Sequence, residues 1–169
     1  MSGRPVPSGN GAPIAVVAGL GNEFRHDDGI GPLVAARVAD QARAVLDIGP
    51  LAEPLDLLGR WDGADLVVLI DAVRSGAAPG TIGLVDLEAQ LRNALDRDGS
   101  STASTHGISL ARVFRLALAV GTAPARVVVV GIEGGDFAHG TGLSPAVAGA
   151  VPHAVDHVIE LFEGLLACV

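Results

Sequence analysis

The sequence is short of the groups that several kinds of protein need. It holds one cysteine, Cys168, near its last residue, so a disulfide framework, a zinc ribbon and a thiolate-ligated cluster are excluded together. It has no tyrosine, one tryptophan and four phenylalanines, too few aromatic faces for a base-stacking platform. Lys and Arg number 11 against 19 Asp and Glu, a formal net charge of -8. A protein that tracks a phosphate backbone carries the opposite sign, and no basic stripe occurs, so no nucleic-acid partner is expected. Nor is there an 18-residue apolar run free of breakers, so no membrane span is expected. The first apolar run, residues 14–20, is too short for a signal-peptide core. A cytoplasmic monomer is the expectation.

What is present suits a folded domain. Of the 169 residues 49% are hydrophobic and 18% charged, and a chain of this length buries roughly 70% of its unfolded surface without help from disulfides. Residues 1–13 are rich in Gly, Pro and Ser and read as a flexible extension; residues 14–169 read as a single domain.

Short β-branched runs alternate with amphipathic stretches. Residues 14–18 read as a buried strand, followed by a Gly-rich turn and a helix to about Arg43 with Pro32 in its first turn. A weaker strand at 44–48 precedes a helical segment at 51–58. Residues 66–70 (LVVLI) are apolar throughout, as parallel strands covered on both faces tend to be, and end at Asp71. Only ten residues, 71–80, separate them from the next strand, 81–87, too few for the usual parallel crossover, so that strand is read as an antiparallel edge. A helix at 88–97, a Ser/Thr-rich loop at 99–107 and a helix at 108–120 follow, the last with Ile108, Ala111, Val113, Phe114, Leu116 and Leu118 on its apolar side. A strand at 126–132 leads through a Gly-rich loop to a final helix capped by Ser144, with Pro145 first and Pro152 inside it. The fold class is therefore α/β: three layers, α/β/α, around a mostly parallel five-stranded twisted sheet with one antiparallel edge strand.

In such sheets function gathers at the carboxyl ends of the strands. The loop after the first strand, GNEFRHDDGIG, is not a dinucleotide fingerprint. Phe24 stands where the third glycine belongs, and Asp27 and Asp28 would repel a pyrophosphate. Asp28 could simply cap the following helix. Asp71 follows a fully apolar run, where a carboxylate must find hydrogen bonds, water or a cation. His106 precedes an apolar helix. Each has a purely structural explanation alone. Together, two carboxylates and an imidazole from separate loops at one sheet edge make an oxygen/nitrogen site for a divalent metal, with coordination positions left open. His153 and His157, spaced i, i+4, lack the glutamate of a zinc-protease HExxH motif and read as a solvated face. No role is assigned to His26 or His139. No G-x-S-x-G elbow occurs.

The motifs carry a resemblance. Val17-Ala18-Gly19-Leu20-Gly21-Asn22 with Asp27-Asp28-Gly29-Ile30-Gly31, then Ile70-Asp71-Ala72-Val73, Ala78-Pro79-Gly80-Thr81, Ser104-Thr105-His106, Val130-Gly131-Ile132-Glu133 and Gly142-Leu143-Ser144-Pro145 resemble, in order, the NiFe-hydrogenase maturation proteases. The family's usual proline before the histidine is Thr105 here. The resemblance implies an endopeptidase that removes the C-terminal extension of a hydrogenase large-subunit precursor after nickel insertion. It also implies that Asp28, Asp71 and His106 contact the nickel, which the precursor itself supplies, and serve catalysis. The alternative is a chaperone on the same scaffold that inspects nickel loading without cutting.

Overall fold

The structure, a computed structural model, describes residues 13–89 and 105–166, the side chains at 105–109 and 166 excepted. All but the last residue of the expected extension at 1–13, and most of the expected helix at 88–97 and loop at 99–107, lie outside the described residues; residues 87–89 are helical.

Five strands form one sheet: β1 (Ala15–Gly19), β2 (Val45–Asp47), β3 (Leu66–Val73), β4 (Ile82–Asp86) and β5 (Val127–Glu133). Their order is β2-β1-β3-β5-β4, parallel except for the β4–β5 pair at the edge. The short connection from β3 thus ends in an antiparallel strand, as its length requires. It also steps over the end of β5 to reach β4's place.

The alternation along β3 sorts the two cores, since successive strand side chains face opposite ways. Leu66, Val68, Ile70 and Ala72 pack with α1 (Ile30–Gln41) and with the final helix, Pro145–Leu166. Val67 and Leu69 pack on the other face with Trp61 and with α2 (Thr105–Val120). The final helix, α3, continues through Pro152. These helices cover both sheet faces, giving the three layers.

Several boundaries differ from expectation. β3 runs on to Val73, because pairing with β5 continues to Val73 opposite Glu133, so Asp71 lies inside the strand and not beyond it. The stretch 51–58 is a single 3-10 turn, Pro54–Leu57, closed by Glu53 and Asp56 capping each other's backbone. The α2 helix starts at Thr105, which puts His106 in its first turn and not in a loop. On α2 the buried positions are Leu110, Val113, Phe114 and Ala117, while Leu116 and Leu118 are exposed. A helix advances about 100° per residue, so 116 and 118 cannot share a stripe with 110, 113 and 117.

Two glycines that flank the first loop, Gly19 at the end of β1 and Gly31 in α1, serve close packing. A Cβ at Gly19 would strike the backbone of Gly31 and Pro32, and a Cβ at Gly31 would strike the carbonyls of Leu20 and Ile70. Removing those side chains lets the start of α1 rest directly on the ends of β1 and β3. Gly31→Ala should therefore destabilise the protein by about 1–3 kcal/mol, as overpacking does, seen as a lower midpoint in thermal or urea unfolding.

Candidate active site

A cleft of about 1000 Å³ opens over the carboxyl ends of β1, β2 and β3. The loop 21–25, Asp28, the segment 50–53, Ala72, Arg74 and Phe137 form its walls. The location is the one expected from the sheet's topology.

Asp28 lies in the 3-10 turn His26–Gly29 and is 8% exposed. One of its carboxylate oxygens accepts the Asn22 N–H at 3.0 Å. Neither the 3-10 turn nor α1 has a side-chain cap, so helix capping does not account for this residue. Asp71 is 2% exposed. It shares strand parity with Val67 and Leu69 and so turns to the face covered by α2. The backbone at His106 stands at the beginning of that same helix, four residues before the buried Leu110. Its side chain lies outside the described residues, among which no three His, Cys, Asp or Glu groups are placed to hold a metal ion.

Two buried carboxylates that the sequence reading passed over shape the cleft. Asp27 is fully buried. It accepts the N–H groups of Gly135 and Asp136 at 2.8 Å each, that of Ser144 at 2.6 Å and the Ser144 hydroxyl at 2.9 Å. The Ser144 hydroxyl, expected as a helix cap, is thus given to Asp27. Backbone bonds extend the seam: His26 N–H to Gly140 O, Gly140 N–H to Phe24 O, and Asp27 N–H to Asp136 O. His26 adopts a positive φ of 46° and bonds through Nδ1 to the Gly142 carbonyl at 3.0 Å. The loop after β5 is thereby sewn to the turn that carries Asp28.

Glu133, at the end of β5 and 4% exposed, does the same for the loop after β3. Its carboxylate accepts the N–H groups of Ser75 and Gly76 at 2.9 Å and the Ser75 hydroxyl at 2.7 Å. The connection from β3 to β4 passes over this strand end, which is why the acid beneath it finds its donors there. Glu133, like Asp71, is an acid at the end of an apolar run. Asp27 and Asp28 are adjacent, and sequence alone does not tell which is enclosed.

The remaining histidines are peripheral. His153 and His157 are exposed on α3, and His157 Nδ1 lies 3.5 Å from Glu160. His139 is exposed as well.

A parallel-centred α/β/α sheet with an acid-bearing cleft at its carboxyl edge defines a class of known architectures. The chain is similar to the hydrogenase maturating endopeptidase HybD from E. coli (23% identity over 89% of this chain and 93% of that one, TM-score 0.73). It is similar in fold to the NiFe hydrogenase maturation protease HybD from Thermococcus kodakarensis (24%, 88% and 98%, TM-score 0.70). It also resembles the maturation protease HycI from Thermococcus kodakarensis KOD1 (26%, 93% and 94%, TM-score 0.65). No curated protein matches it by sequence. The family model for hydrogenase maturation protease, HycI, matches residues 32–161. The chain belongs to the hydrogenase maturation protease family and is a hydrolase of the protease class. No helix among the described residues is long and apolar enough to cross a membrane.

The Asp27 seam carries a pH dependence. Burial raises the Asp27 pKa, but the hydrogen bonds from Ser144, Asp136 and Gly135 outweigh it and leave the carboxyl below its ordinary value. A depressed folded-state pKa stabilises the protein above the unfolded pKa, and that contribution disappears as pH falls through the folded value. Wild-type thermal stability should therefore decline below about pH 4. Asp27→Asn should lower stability by about 1–3 kcal/mol at neutral pH and flatten the acid limb, measured by calorimetry across pH.

Proposed function

We propose that this protease removes the C-terminal extension of a hydrogenase large-subunit precursor once nickel has been inserted, and that it reads the nickel through Asp28, Asp71 and His106. The observation that carries this reading is Asp28, a carboxylate without a capping role in the wall of a cleft at the sheet's carboxyl edge. Asp71 supports it, being buried in the strand beside that cleft, on the face covered by α2, whose first turn carries His106. Family membership favours cutting over the inspecting chaperone.

The chemistry of the donor set fits a borrowed ion. Two carboxylates and an imidazole suit a divalent metal but leave its other positions to ligands of the precursor. With no cysteine among the described residues, this donor set does not compete for the nickel that the precursor's cysteines hold. The ion then serves as a tag: a loaded precursor docks, an empty one lacks the anchor. Docking through the ion also brings the nearby scissile peptide into the cleft, so that cleavage proceeds as an effectively intramolecular step.

Asp28→Asn keeps an oxygen for the Asn22 N–H but removes the charge, and His106→Ala removes the imidazole. Each should lower processing of a co-expressed large subunit by about 100-fold or more, while circular dichroism shows an unchanged fold. Mass spectrometry of the large subunit reads the result; a normally shortened subunit with either variant would take that residue out of the site.

A further inference from the structure

The cleft has a basic end that the nickel-reading residues leave unused. Arg25 and Arg74 both converge on Phe137. Arg25 donates from Nε and a terminal nitrogen to the Phe137 carbonyl at 3.4 and 3.3 Å, and Arg74 lays its guanidinium over the Phe137 ring, 4.2 Å from the centroid. All three residues line the cleft. Among the described residues neither guanidinium has a carboxylate within ion-pair distance, whereas Arg126 pairs with Asp86 at 3.1 Å. In a chain with 19 acidic residues against 11 basic ones, two cations in one cleft without an acid partner are positioned for an anion from elsewhere.

Both stand on anchored backbone. Glu133 fixes the turn at Ser75 and Gly76 directly after Arg74, and Asp27 fixes Gly135 and Asp136 directly before Phe137. The stack on Phe137 and the bonds to its carbonyl hold the side chains themselves, so less rotamer freedom is lost when they bind. The opposite wall is acidic. Glu53 follows β2, which lies on the far side of β1 from β3 and Arg74. Glu23 and Asp28, on the same loop as Arg25, line the cleft as well, so its acids are not confined to that wall.

We infer that Arg25 and Arg74 form a carboxylate subsite that takes an anionic group of the precursor's extension, either an acidic side chain or the terminal carboxylate. This rests on the reading of the chain as a precursor-processing protease given above. Guanidinium and carboxylate match in charge and planar geometry. Contact at the basic end draws the extension across the cleft while the ion holds the precursor near Asp28. The contact is made alike in ground state and transition state, so its loss falls on KM more than on kcat.

The test is steady-state cleavage of nickel-loaded precursor by wild type, Arg25→Gln and Arg74→Gln. Each variant should raise KM about tenfold, the size of one weakened charged contact, with thermal midpoints close to wild type. Two substrate series identify the source. Changing Asp and Glu of the extension to Asn and Gln abolishes the difference between wild type and Arg74→Gln if a side chain is bound. Appending Gly-Ser-Gly, which displaces the terminal carboxylate, abolishes it if the terminus is bound. Wild-type cleavage of the unmodified precursor verifies the underlying reading separately. Given that cleavage, equal KM values in all three enzymes, or an arginine effect undiminished in both substrate series, would overturn the subsite.

Discussion

A single enclosed carboxylate organises the functional edge of this protease. Asp27 accepts four hydrogen bonds from three residues that lie more than a hundred positions later in the chain. An ionised carboxyl without exposure is costly unless its oxygens are satisfied, so the turn before α1 and the loop after β5 are stable only together. Everything else at the edge follows from that junction. Asp28 is held in place because its neighbour is, Phe137 is set by the same loop, and the two arginines are set by Phe137. Glu133 repeats the device one strand away.

The sheet was legible in the sequence because its central strands carry long apolar runs, as at residues 66–70 and 127–130, and its spacings are restrictive. Ten residues between the third and fourth strands suffice to predict the antiparallel edge. Ends were harder: β3 gains Ala72 and Val73 through pairing with β5, a long-range contact that no local pattern records. The segment at 51–58 has helical spacing, yet a capping box and Pro54 confine it to one turn. On α2, Leu116 and Leu118 are as hydrophobic as the buried residues but exposed, because angular position and not hydrophobicity decides which side chains a helix buries.

The candidate site was legible in part for the same reason. Asp28 and Asp71 stand out as acids beside apolar or glycine-rich runs, and such placement asks for a chemical explanation. Asp27 and Glu133 meet the same description but answer it with backbone donors, which only the folded chain brings near. Arg25, Arg74 and Phe137 are unremarkable as sequence. They become a group because two loops cross the sheet edge side by side.

The route of the connection between β3 and β4 has a bearing on biogenesis. That connection bridges the place of a strand the ribosome has not yet made, and its anchors, Glu133 and the Gly134 N–H that bonds Val73, emerge later, along with Asp27's donors. A nascent chain can lay down β1 and β3 early, but its groove has no fixed walls until residue 144 has been delivered.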